Sequence, residues 1–90
     1  VSRSFAIVGA GFSGAVVARQ LAEAGHTATV FDTRSHVAGN CFTQRHDSGV
    51  MVHVYGPHIF HTQHEHVWDY ITRFGVMKPY RHTVSAMSGG

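Results

Sequence analysis

Ala6-Ile7-Val8-Gly9-Ala10-Gly11-Phe12-Ser13-Gly14 is the stretch from which the fold follows. The apolar run Phe5 to Val8 predicts a buried strand, and Gly9, Gly11 and Gly14 then fall in the spacing G-x-G-x-x-G. A helical pattern begins at once. Gly9 permits the tight turn, Gly11 lets the backbone approach an anion with no Cβ between, and Gly14 lets the helix press on the strand. The helix amino terminus then points its unpaired N–H groups and its positive dipole end at that anion.

Working outward, Ser13 to Ala24 predicts a helix, with Val17, Leu21 and Ala22 at helical spacing and Gly25 just past its end. Thr27 to Phe31 predicts a β-branched and aromatic strand. It ends in Asp32, 18 positions beyond Gly14, near where an acidic side chain accepts hydrogen bonds from a ribose diol. Strand, glycine turn, helix, strand and terminal acid in this order predict a βαβ dinucleotide site. The competing reading is an ordinary glycine-containing loop of an α/β protein with Asp32 as a solvated strand end. The fingerprint's full context favours the first.

Composition narrows the class. Ninety residues make one domain or a piece of one. A chain of this size hides only about 60 to 70% of its extended surface. A doubly wound sheet needs more βαβ units than fit here, so residues 1–90 are expected to be an amino-terminal fragment, or a part that needs missing strands to finish its sheet. Seven basic and five acidic residues are scattered, with Lys78 the only lysine, which argues against nucleic acid as a partner. Nine histidines make the charge pH-sensitive around the imidazole range. The lone Cys41 rules out an internal disulfide and suits the reducing cytoplasm. The apolar start is too short for a membrane span or signal core, so no membrane partner is expected. A homo-oligomer is compatible with the sequence.

Asp32 is followed by Thr-Arg-Ser-His-Val-Ala-Gly-Asn. A basic residue and then Gly-Asn after the acidic strand end resembles flavoproteins of the glutathione-reductase and amine-oxidase kind more than nicotinamide proteins. Arg34 offers a fork of donors to a phosphate or packs near an adenine, and Gly39-Asn40 lets the chain pass close to an extended cofactor. A surface cation and an ordinary turn are the bland alternative. Phe42 to Arg45 and Val50 to Tyr55 predict a hairpin around His46-Asp47-Ser48-Gly49, and Gly56-Pro57 ends it. Thr62-Gln-His-Glu65 has the form of a capping box. The predicted helix buries Val67, Tyr70, Ile71 and Phe74, carries Trp68 beside them and stops at Gly75. Pro79 to Ala86 predicts a further short strand.

His58, His61, His64 and His66 invite a metal reading, but no second ligand cluster completes a set, and His64 and His66 are expected on different sides of a helix. No metal site is therefore expected. A Gly-Pro-His loop lining a cofactor accounts better for His58.

Taken together, Gly9 to Ala15, the Asp-x-Arg-x-His-x-Ala-Gly-Asn run at 32–40, Tyr-Gly-Pro-His-Ile-Phe-His-Thr at 55–62 and Val-Trp-x-Tyr-Ile at 67–71 resemble the amino terminus of the bacterial UDP-galactopyranose mutase family. The resemblance runs from about Phe5 to Val84, and the 55–62 block is its most specific part. It implies a partial Rossmann-like α/β fold, a parallel sheet with an added β-hairpin and a following helix. It further implies an FAD-dependent isomerase interconverting UDP-galactopyranose and UDP-galactofuranose, in which reduced flavin N5 attacks the anomeric carbon.

By that resemblance Gly9, Gly11 and Gly14 with the amides of Phe12 and Ser13 hold the FAD pyrophosphate, Asp32 takes the ribose, and Arg34 lies along the phosphate or adenine side. Gly39 and Asn40 border the cofactor. His58 sits beside the isoalloxazine with His61 nearby, both near the catalytic edge, and His82 reaches the substrate cleft. Thr83 stands where the family commonly has arginine. The family's phosphate-gripping arginines, lid and uridine-stacking aromatics lie outside these residues, so the chain alone is expected to be inactive. Rival readings are a redox flavoprotein of the amine-oxidase type, a nicotinamide-binding dehydrogenase domain and a histidine-rich metal module.

Overall fold

The computed structural model describes residues 1–81 and 83–89; the expectation for His82 lies outside the described residues. The chain divides into two compact units, Val1–Ile59 and Phe60–Gly90.

In the first unit, β1 (Ser4–Val8), α1 (Phe12–Glu23) and β2 (Thr27–Phe31) form one βαβ step. The strands pair in parallel from Ser4↔Thr27 to Val8↔Phe31. The ladder is carried past both ends, by Thr27 N–H donating to the Arg3 carbonyl at 2.9 Å and Gly9 N–H to the Phe31 carbonyl at 2.7 Å. Helix α1 ends in a six-to-one closure. His26 N–H donates to the Leu21 carbonyl and Gly25 N–H to the Ala22 carbonyl, both at 3.0 Å. Gly25 takes φ +88°, the left-handed conformation this closure requires of the residue after the cap. His26 then fastens the return to β1: its Nδ1 accepts the Arg3 N–H at 3.1 Å, and its ring meets Phe5 edge-on at 5.4 Å.

Burial departs from the sequence expectation. Among the described residues none is fully buried; Phe5 is 38% and Val8 89% exposed. Parallel strands read as buried because helices normally cover both faces, whereas among the described residues the helix packed on this pair of strands is α1. The half-buried line of α1 is Gly14, Ala18 and Leu21, spaced i, i+4, i+7, with Val16 beside it. Val17 and Ala22, which share the helical spacing with Leu21, are exposed. Gly14 decides the rotation of the helix: a Cβ placed on it would run into the Gly9 carbonyl oxygen and lie 3.4 Å from Ile7 Cγ2.

A single 3-10 turn, Gly39–Cys41, leads into β3 (Thr43–Arg45), which pairs antiparallel with β4 (Met51–His53). The intervening turn is His46–Gly49 as expected, closed by His46 N–H to the Val50 carbonyl at 2.7 Å, with Gly49 at φ +92°. The second strand is shorter than expected. One further bond, Val54 N–H to the Phe42 carbonyl at 3.3 Å, precedes the bend at Gly56.

In the second unit, α2 (Glu65–Ile71) begins later than the capping box predicts. The Thr62 hydroxyl accepts the His64 N–H at 3.1 Å, a local turn two residues on, which makes His64 the cap. The helix also ends early: after Thr72 the chain tightens, with Arg73 N–H donating to the Tyr70 carbonyl at 3.2 Å and Phe74 N–H to the Ile71 carbonyl at 3.1 Å. Val67, Tyr70 and Ile71 are half-buried, while Phe74 is 51% exposed and holds an edge-on contact of 5.3 Å with Tyr70. Trp68 stacks on Phe60 at 6.2 Å. The strand expected over 79–86 does not form among the described residues, which offer it no ladder partner.

Gly14→Ala is expected to destabilise the protein by about 1 to 3 kcal/mol, because the new methyl group meets backbone that cannot rotate away. Gly75→Ala has open space around it and serves as the near-neutral control. Denaturant midpoints of the two variants check this; equal midpoints would contradict the packing role of Gly14.

Candidate functional site

Three segments converge at the ends of β1 and β2. The turn Gly9–Gly11 leaves β1, Asp32 leaves β2, and the 3-10 turn at Gly39–Cys41 comes back against them. Asp32 is the clamp. Its Oδ2 accepts the Ala10 N–H at 2.7 Å and its Oδ1 accepts the Arg34 N–H at 2.8 Å. The Ala10 carbonyl in turn accepts the Ala38 N–H at 2.8 Å, so the middle residue of the glycine turn is held on both sides. Those two backbone donors, with smaller help from Arg34 and His36, hold the Asp32 carboxyl below its ordinary value of 3.8. It is therefore ionised at neutral pH.

The glycines divide the labour. Gly9 takes φ +107°, and a Cβ there would meet nothing, so the turn needs its conformation rather than its smallness. Gly11 and Gly39 pass close together: a Cβ on Gly39 would lie 3.1 Å from the Gly11 α-carbon. Gly39 also has φ +55°, and Ala38, ahead of it, takes the left-handed φ of +78°, strained for a residue with a side chain. The expected close approach at Gly11 is thus, in part, to this chain's own second loop.

Gly11 caps α1 with no side-chain hydrogen bond, and no acidic residue stands in the first turn. A helix amino terminus so built presents backbone N–H groups and positive potential with no acidic side chain in its own first turn. The donor set fits a dinucleotide diphosphate. Asp32 fits the neighbouring ribose, since a carboxylate has about four acceptor positions and the backbone uses two.

Arg34 turns its guanidinium away from Asp32. Its Nη1 donates to Asn40 Oδ1 at 3.0 Å, and its Cζ lies 4.1 Å above the Tyr55 ring. Tyr55 is bound from the other side by His36, whose Nε2 is 2.7 Å from the phenol oxygen and whose ring stacks on Phe42 at 3.8 Å. Arg34 and Asn40, both predicted, are thereby brought together. His58 is half-buried, its Nε2 3.4 Å from the Thr43 hydroxyl and its Nδ1 enclosed without a partner. His61 belongs to the second unit, where it is exposed.

The rings of His64 and His66 come within 5.6 Å rather than pointing to different sides, because His64 sits in the extended cap position. No group of three or more His, Cys, Asp or Glu among the described residues could hold a metal ion. Sequence reasoning missed Ala10 and Ala38, which act through their backbone and carry no side-chain signal. It also missed His36, His53 and Tyr55 as site builders. The aromatic and basic spacing Arg34-x-His36 was the available clue to the Tyr55 contacts.

Residues 7–74 match the family of NAD(P)-binding Rossmann-like domains. The chain is 51% identical, over 99% of its length, to a probable UDP-galactopyranose mutase of Klebsiella pneumoniae, of which it spans 23%. It is 46% identical, over 93% of its length, to a dTDP-fucopyranose mutase of Escherichia coli, of which it spans 22%. Over 78% of its length it is 40% identical to an L-amino acid oxidase of Lachesis muta, covering 14% of that protein.

Because the native Asp32 carboxyl titrates below 3.8, its clamp is fully present above that value and is lost as pH falls through the lowered native one. In an acid titration followed by NMR, the Ala10 and Arg34 amide resonances are expected to move together with a midpoint under 3.8. A midpoint at or above 3.8 would contradict the clamp.

Proposed function

The chain belongs to the NAD(P)-binding Rossmann-like domain family, and from that premise we propose that it is the FAD-binding amino-terminal part of an isomerase interconverting UDP-galactopyranose and UDP-galactofuranose. The chain spans between a fifth and a quarter of the two mutases it resembles, so the activity is proposed for the longer protein. The observation that carries the reading is the Asp32 carboxylate held 2.7 Å from the Ala10 amide, beside a helix amino terminus free of acidic side chains. Identity of 51% and 46% to two sugar-nucleotide mutases over nearly the whole chain supports the choice of reaction.

In this reading the amides of Phe12 and Ser13, with Gly9, Gly11 and Gly14, bind the diphosphate. Asp32 binds the ribose. Arg34, fixed by Asn40 and Tyr55, borders the adenine or phosphate side, and Gly39 lines the passage. Reduced flavin, when bound, supplies a nucleophilic N5 for the anomeric carbon of the sugar. His58 orients that end of the site; the roles of His61 and His82 are carried over from the family resemblance alone. The reading includes a cytoplasmic location; among the described residues no helix is long and apolar enough to cross a membrane.

The 40% identity to an L-amino acid oxidase keeps a second reading, a redox flavoprotein that oxidises an amine substrate. The full-length protein separates the two. We expect it to purify with a flavin visible spectrum and to convert UDP-galactofuranose only after reduction by dithionite. Hydrogen peroxide production from amino acids, without conversion of the sugar nucleotide, would favour the oxidase. Asp32→Ala is expected to weaken FAD binding about ten-fold or more, as loss of a charged acceptor does; unchanged affinity by flavin fluorescence titration would remove the ribose assignment.

A further inference from the structure

The turn after β4 is held by an imidazole. His53, the last residue of that strand, accepts the His58 backbone N–H on its Nδ1 at 3.2 Å. Its ring also stacks on that of His58, with centroids 3.8 Å apart and planes at 20°. The acceptor role fixes the tautomer: Nδ1 of His53 carries no proton, so the neutral ring holds its hydrogen on Nε2. Between the two histidines, Gly56 takes φ +105° and donates its N–H to the His53 carbonyl at 3.3 Å. His53 thus grips the five-residue turn from both its backbone and its side chain. The far side of His58 is poorly held, with Nδ1 enclosed and unpartnered and only a 3.4 Å contact from Nε2 to Thr43.

We propose that His53 is a positioning residue for His58: its neutral imidazole fixes the Gly56–Pro57–His58 backbone, and protonation of His53 releases it. A proton on Nδ1 removes the acceptor and sets two N–H groups against each other. It also places a positive charge against a second imidazole at stacking distance. Around the pair, β3 presents the uncharged Thr43 opposite His53. Two residues further along the same face is Arg45, whose guanidinium is turned to the Gly49 carbonyl at 2.8 Å. No carboxylate is recorded against either ring among the described residues, so nothing shown there offsets the added charge. That the turn borders the cofactor rests on the function proposed above; that His53 holds the turn does not.

Two variants separate acceptor from ring. His53→Asn keeps an acceptor near the Nδ1 position and cannot titrate; His53→Phe keeps the stack and loses the acceptor. In the full-length protein loaded with FAD, the His58 amide resonance of the wild type is expected to shift in a single step on acidification. The step should vanish in His53→Asn, and in His53→Phe the resonance should sit at the released position at every pH. FAD affinity above pH 7.5 should fall by about 2- to 10-fold in His53→Phe, the effect of one lost hydrogen bond, and much less in His53→Asn. A His58 amide step that persists unchanged in His53→Asn overturns the proposal. If the wild-type protein takes up no FAD, the function reading fails, while the amide titration still judges the role of His53.

Discussion

The carboxylate of Asp32 holds the site together, and it does so by gripping main chain rather than side chain. Parallel pairing of β1 with β2 brings the strand ends level, so the residue after β2 stands beside the turn after β1. Asp32 then takes the Ala10 N–H, while the Ala10 carbonyl is taken by Ala38. With both polar groups of the Ala10 peptide environment occupied, the turn has little freedom to rotate. The amides that follow Gly11 therefore meet an anion in a prearranged direction. An apolar residue at position 32 would leave the Ala10 N–H without its acceptor and the second loop without its start.

A carboxylate beside the proposed diphosphate site looks self-defeating, since both are anions. The structure resolves this locally. Asp32 spends its charge on two backbone donors, and a buttress of positive and aromatic groups follows it in the chain: Arg34 over Tyr55, and His36 against the same phenol. The Arg34 guanidinium hydrogen-bonds the uncharged Asn40, while its charge gives the Asp32 carboxylate a smaller share of its stabilisation. Its positive charge adds to the field of the site.

The βαβ step was legible because its instructions are local. Glycine spacing, a β-branched strand and a terminal acid each act within a few residues of where they are written. The hairpin turn at His46–Gly49 was legible for the same reason. What failed depended on partners. Phe5–Val8 reads as a buried strand only if a second layer covers it, and the segment 79–86 reads as a strand only if a ladder accepts it. The capping box at Thr62 lost to a shorter-range bond from the same hydroxyl. The helical spacing of Val17, Leu21 and Ala22 marks the helix but does not say which of its sides packs. The true line is set by Gly14, whose missing side chain lets the helix rest on the Gly9 carbonyl.

The same βαβ step serves many dinucleotide proteins, so it does not by itself select a chemistry. What individualises this chain is a second layer built from 34 to 58. Gly39 lies against Gly11, Phe42 stacks on His36, Thr43 reaches His58, and His53 holds the His58 amide. These contacts form a continuous path from the glycine turn to the Gly-Pro-His bend. A ligand extended along that path would meet backbone amides at one end and imidazoles at the other. In the flavin reading proposed above, that border is what the shared βαβ step does not itself supply.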